Sequence, residues 1–154
     1  MSAPCKQRPW LYGGDIGEWD ISLVNDTSYL FCGNYKYCGC GDLCGAYQAF
    51  NEPLAGWNTS SVIRMDWMFR SAFAYNQPLS TWDTSSVTRM DYMFRSAYAY
   101  NQPLSSWDTS SVITMEGMFR SASTYNQGER PSCKRERDAY FSFVISLLPT
   151  LQES

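Results

Sequence analysis

A 25-residue block recurs almost verbatim through the middle of the chain, beginning at Phe50, Tyr75 and Tyr100. The copies at Tyr75 and Tyr100 agree at 18 of 25 positions, and those at Phe50 and Tyr75 at 17. A period of this size marks a chain built from one supersecondary unit per repeat, because a unit this small covers its apolar face only by stacking on its neighbours. A fourth, diverged copy precedes them. Trp19, Asp20, Ser22, Val24, Leu30 and Phe31 hold the offsets of Trp82, Asp83, Ser85, Val87, Met93 and Phe94. The array therefore starts near Gly13 and runs to Gln127, preceded by a segment at 1–12 and followed by a nonrepeat tail at 128–154. The tail reads either as a cap over the last unit or as sequence foreign to the array. From Phe31 to Phe50 there are 19 positions where Phe69 to Tyr75 has 6, so an insertion of 13 residues, at about 32–44, interrupts the first junction.

Within a unit, Val87, Met90, Met93, Phe94 and Ala97 fall at offsets 0, 3, 6, 7 and 10, the apolar stripe of a short helix. Asp66 and Arg70, Asp91 and Arg95, and Glu116 and Arg120 place an acid four residues before an arginine, the favourable order for an ion pair on a helix. Thr or Ser in Asp83-Thr84-Ser85 and its counterparts would cap that helix. The other half of the unit, around Leu79 to Trp82, contains proline and predicts a turn followed by a short strand pairing in parallel with its counterparts. The expected fold is an α/β solenoid with one short parallel strand and one short helix per repeat; an all-β solenoid is the alternative.

Rows of identical residues follow from the stacking. Asn51, Asn76, Asn101 and Asn126 are expected to form an amide ladder that satisfies turn backbone groups. Trp57, Trp82 and Trp107, with Val87, Met90, Met93 and Phe94, are expected in the core. Arg64, Trp67, Phe73, Arg89, Tyr92 and Tyr98 lie at positions that vary between units, are expected to be exposed, and form a candidate binding strip of the aromatic and arginine composition enriched at interfaces. Thr59, Thr84 and Thr109 form a hydroxyl row that an ice-associated surface would need.

Cys32, Cys38, Cys40 and Cys44 crowd the insertion, away from Cys5 and Cys133. Disulfides are favoured over four thiolates on zinc, since the spacing lacks CxxC pairs. Net charge is −3, which disfavours nucleic acid as a partner. The chain contains no histidine and no glycine-rich phosphate loop, and its serines lie in repeated turn segments without a base, so catalysis is not expected and neither is a cofactor. The most apolar stretch, Ala139 to Leu148, is too short to span a bilayer.

The segments Asn-Gln-Pro-Leu-Ser-x-Trp-Asp-Thr-Ser-Ser-Val-Thr from Asn76 and Met-x-x-Met-Phe-x-x-Ala from Met90 resemble those of BspA-like leucine-rich-repeat surface proteins, including mycoplasma lipoprotein-type repeats. The resemblance implies a leucine-rich-repeat-like fold, a cell-surface or extracellular setting, and adhesion through protein or glycan binding. The departures are Thr27 where later units have methionine, and the cysteine insertion.

Overall fold

The computed structural model describes residues 15–127, so both terminal segments, Cys5, Cys133 and the 128–154 tail lie outside the described residues. Successive units lie one on the next. The backbone N–H groups of Met65, Trp67, Phe69 and Ser71 donate to the carbonyls of Arg89, Asp91, Met93 and Arg95, each 24 residues on and within 3.0 Å. Met90, Tyr92, Phe94 and Ser96 repeat this bonding to Thr114, Glu116, Met118 and Arg120. Thr27, Tyr29, Phe31 and Gly33 bond to Arg64, Asp66, Met68 and Arg70, so the diverged first copy keeps register across the insertion. Parallel bridges link Asp26 to Arg64, Arg64 to Arg89 and Arg89 to Thr114.

This ladder runs through the segment expected to be helical. Residues 87–97 form turns around the Arg89 bridge, and residues 79–82 are not a named strand. Where the repeat pattern predicts one helix and one strand per unit, residues 50–127 hold turns and isolated bridges. Val87, Met93, Ala97 and Tyr100 each close a single turn by donating to the residue three before. The amides between them, at Met90, Tyr92, Phe94 and Ser96, bond to the next unit. A chain of three-residue turns buries the same apolar positions as a helix, yet leaves every second amide pointing out to be paired by stacking. Alternation also explains why acid and arginine do not pair four apart. Asp66 instead meets Arg64, two residues before it, because neighbours at i and i+2 share a face on an extended backbone.

The core consists of columns of like residues. Phe31, Phe69, Phe94 and Phe119 stack at 5.4–5.6 Å between ring centroids. Beside them Phe50, Tyr75, Tyr100 and Tyr125 stack at 5.7–6.1 Å, and Trp57, Trp82 and Trp107 at 6.1–6.3 Å with planes within 4°. Val87, Met90, Met93 and Phe94 are wholly buried. The three tryptophans of the column each donate to a backbone acceptor, Trp57 reaching Ile16 O at 2.7 Å, Trp82 reaching Leu54 O at 2.9 Å and Trp107 reaching Leu79 O at 3.0 Å. The columns thus bury apolar area without orphaning the indole donors.

Four short helical pieces, all before Phe50, complete the described residues: 3-10 turns at Ile16–Glu18 and Gly41–Leu43, and helices α1 (Tyr35–Cys38) and α2 (Cys44–Gln48). The Asn34 side chain caps α1 by accepting from Lys36 and Tyr37 amides, and Gly39, at φ 58°, ends it. The insertion is tied down by Gln48, whose amide donates to Gly33 O at 2.9 Å and whose carbonyl accepts from Ala74 N.

Candidate functional site

The sequence-derived candidates fall into four places. The asparagine row is a continuous ladder: the side-chain oxygens of Asn51, Asn76 and Asn101 accept from the backbone N–H of Asn76, Asn101 and Asn126, each at 2.9 Å. Gln77, Gln102 and Gln127 add amide donation to the carbonyls of the same three asparagines. These groups are engaged with one another along the stack. The threonine row is likewise occupied. Thr59 and Thr84 are buried and donate to Asp83 O and Asp108 O, so their hydroxyls are turned away from any ice surface. The capping role expected of this segment falls to Asn58, Asp83 and Asp108, whose side chains accept from the amides of Ser60, Ser85 and Ser110 in single turns. The hydrogen bonds from Ser85 and Ser110 hold the Asp83 and Asp108 carboxyls below their ordinary pKa.

The cysteines of the insertion pair as Cys32–Cys38 and Cys40–Cys44, with Cα separations of 6.0 and 5.2 Å. In this state the four sulfurs are bonded in pairs and do not offer zinc a thiolate quartet.

The candidate strip divides in three. Phe73 and Tyr98 stack as a pair at 4.9 Å, with Tyr98 exposed. Arg64 and Arg89 belong instead to an ion-pair chain. Arg64 bonds Asp66 and lies 3.8 Å from Asp26; Arg89 lies 3.5 Å from Asp66 and 3.1 Å from Asp91. The hydrogen bond to Asp66 raises the Arg64 pKa. Asp66 is almost fully buried, and both arginines are needed to compensate its carboxylate. These guanidiniums are committed to structure more than to a partner.

Trp67 and Tyr92 occupy one row with Tyr29 before them and Gly117 after. Tyr29 stacks on Trp67 at 5.4 Å, and Trp67 meets Tyr92 edge-on at 5.0 Å. The three aromatics have left-handed backbones, with φ of 64°, 63° and 55°. An L-residue there costs roughly 1–2 kcal/mol, and bulky residues rarely adopt it. Gly117 takes the same conformation, at φ 58°, where a Cβ would lie 2.5 Å from the Tyr92 ring. The Tyr92 hydroxyl also bonds the Glu116 carboxylate, which raises the tyrosine's pKa.

Sequence reading missed the residues that complete this face. The Arg70 guanidinium lies 4.1 Å from the Trp67 ring and 3.9 Å from the ring of Tyr37 of α1, and the two rings also meet each other at 5.7 Å with a tilt of 48°. Arg95 lies over Tyr92 at 5.4 Å. Arg70, Arg95 and Arg120 recur at one position of successive units, a signal that the sequence carries but that a helical ion-pair reading absorbs. Among the described residues no ion pair reaches any of the three.

The family described as Mycoplasma protein of unknown function, DUF285, matches residues 6–130. No curated protein and no solved structure matches the chain.

Proposed function

The chain belongs to the DUF285 family, and we propose that it is a noncatalytic repeat module of a surface or secreted protein, an adhesion-type solenoid that binds a protein or glycan partner through one aromatic face. In this reading the solenoid is a stack of linked turns, nearer the all-β alternative than a helix-and-strand coil. The observation that carries it is the Tyr29–Trp67–Tyr92 row, where large aromatic side chains are kept on strained left-handed backbone. Left-handed backbone also recurs at Ser71, Ser96 and Ser121 as part of the repeated turn, so it is the bulky ring placed on it, where glycine serves in the third unit, that supports a functional reading. The resemblance to BspA-like surface proteins supports the adhesive role, and the bonded cysteines of the insertion support an oxidising location. No helix among the described residues is long and apolar enough to cross a membrane.

The test compares the full chain with a Tyr92→Gly variant on a panel of immobilised extracellular-matrix proteins and glycans. Glycine relieves the left-handed strain of roughly 1–2 kcal/mol, which offsets ring contacts of similar size, so the melting temperature is expected to change little. Loss of binding with an unchanged fold supports the reading. Undiminished binding refutes the assignment of this face.

A further inference from the structure

The insertion at the first junction covers a position that the later units leave open. Gly33 N donates to Arg70 O at 2.8 Å, so the chain enters α1 beside that arginine. The Asn34 side chain starts the helix by accepting from the Lys36 and Tyr37 amides, and Cys32–Cys38 closes the turn into a loop with a sequence separation of 6. Tyr37 is thereby placed. Its ring lies 3.9 Å from the Arg70 guanidinium and 5.7 Å from the Trp67 ring, while the residue itself is 49% exposed.

Beneath it Arg70 is 2% exposed, and its Nε and Nη1 have no hydrogen-bond partner. Buried donors of this kind are rare in folded proteins. Arg95 and Arg120 hold the same position in units that carry no insertion, and there the first is partly exposed and the second exposed. The repeat leaves this arginine to solvent, and the insertion covers it.

One turn of chain keeps the ring in place. α1 has 4 residues, of which Cys38 is buried while Lys36 and Tyr37 are exposed, and it ends at Gly39 in the left-handed conformation. A helix this short does not hold itself in water. The bridge from Cys38 back to the fully buried Cys32 is the constraint that returns Tyr37 to Arg70. Cys40–Cys44 lies outside that loop, at the start of α2.

We propose that α1 is a redox-controlled lid: oxidised Cys32–Cys38 holds Tyr37 over Arg70 and Trp67, and reduction lets the lid open and uncover them. The reductant is a dithiol. One of its thiolates attacks a bridge sulfur, the S–S bond breaks, and the mixed disulfide resolves onto the second thiol; two electrons pass to Cys32 and Cys38, which end as thiols, and the dithiol closes to its own disulfide. Opening adds a guanidinium to the surface and frees the flank of Trp67. This goes beyond the adhesive reading and does not depend on what the aromatic face binds.

The experiment measures how fast phenylglyoxal modifies each arginine of the full chain, mapped by peptide mass spectrometry, before and after reduction with dithiothreitol and its removal without air. Losing the bridge releases loop entropy equivalent to about 30-fold in the open fraction, so Arg70 should react about 30-fold faster when reduced, with Arg95 and Arg120 unchanged. Tyr37→Ala should make Arg70 fast in both states. A Cys32→Ala/Cys38→Ala chain should match the reduced protein without reductant, whereas Cys40→Ala/Cys44→Ala should stay slow until reduced. An Arg70 rate that changes less than about threefold on reduction, or that stays slow in Tyr37→Ala, overturns the proposal. So does a parallel rise at Arg95 and Arg120 or a loss of circular dichroism, because reduction would then loosen the whole stack instead of opening a lid.

Discussion

Replacing Asn76 by alanine removes one rung of the amide ladder at its middle. The Asn76 oxygen accepts the Asn101 N–H at 2.9 Å and the Gln102 amide at 3.2 Å, both in half-buried surroundings. A neutral hydrogen bond contributes about 1 kcal/mol net, and a donor left without a partner away from water costs about 1–3 kcal/mol. Partial solvent access places Asn76→Ala near 2 kcal/mol. Asn51 makes the equivalent bond to Asn76 N at 2.9 Å, but in an exposed position where water replaces the lost acceptor. Asn51→Ala is therefore expected to cost about 0.5–1 kcal/mol. With a urea slope of about 2 kcal/mol/M, the Asn76 variant should unfold about 1 M earlier than the parent, and the Asn51 variant at most half as far. Urea titration followed by far-ultraviolet circular dichroism, without reductant, measures both. Equal shifts, or an Asn76→Ala cost below about 0.5 kcal/mol, would refute the ladder as a source of stability.

The tyrosine column yields an opposite expectation. The Tyr75 and Tyr100 hydroxyls are buried without hydrogen-bond partners, and Phe50 fills the same column with a plain phenyl ring. Tyr100→Phe should leave the melting temperature unchanged or raise it, by up to about 1 kcal/mol equivalent; a clear loss would show that the hydroxyl is satisfied. Burial raises the pKa of Tyr75 and Tyr100 above 10.0. The unfolded chain then loses its protons first, so stability should be intact below pH 10 and decline above it, and the decline should soften in Tyr100→Phe. Reduction of Cys32–Cys38 and Cys40–Cys44, which close short loops, should cost about 2 kcal/mol per bridge in the chain-entropy account. Calorimetry with and without reductant checks this, and an unchanged transition with titrated thiols would contradict it.

The core was legible in the sequence because burial requires only the right spacing. Val87, Met90, Met93, Phe94 and Ala97 are all buried, as their pattern demands. What the pattern does not carry is the hydrogen-bond partner of each amide. Apolar residues three apart fit a helix and a chain of single turns equally well, and only the bonds from Met90 and Tyr92 to the next unit separate the two. Leu79 and Trp82, also three apart, held the clue: Trp82 N closes a turn on Leu79 O, as Val87 N does on Thr84 O. The same ambiguity hid the arginine column. Once Asp66 is paired with Arg64 across two residues, Arg70 is released to lie over the rings of Trp67 and Tyr37. Its second ring comes from Tyr37 in the insertion, whose placement no repeat comparison supplies.

The most direct test of the stacked-turn architecture is scalar coupling across hydrogen bonds in the isotopically labelled protein. Amide nitrogens of Met90, Tyr92, Phe94 and Ser96 should couple to the carbonyl carbons of Thr114, Glu116, Met118 and Arg120, the partners 24 residues ahead. Couplings from those amides to carbonyls four residues behind would mean a helix in each unit, and the columns, the ladder and the binding face would fall with the stack.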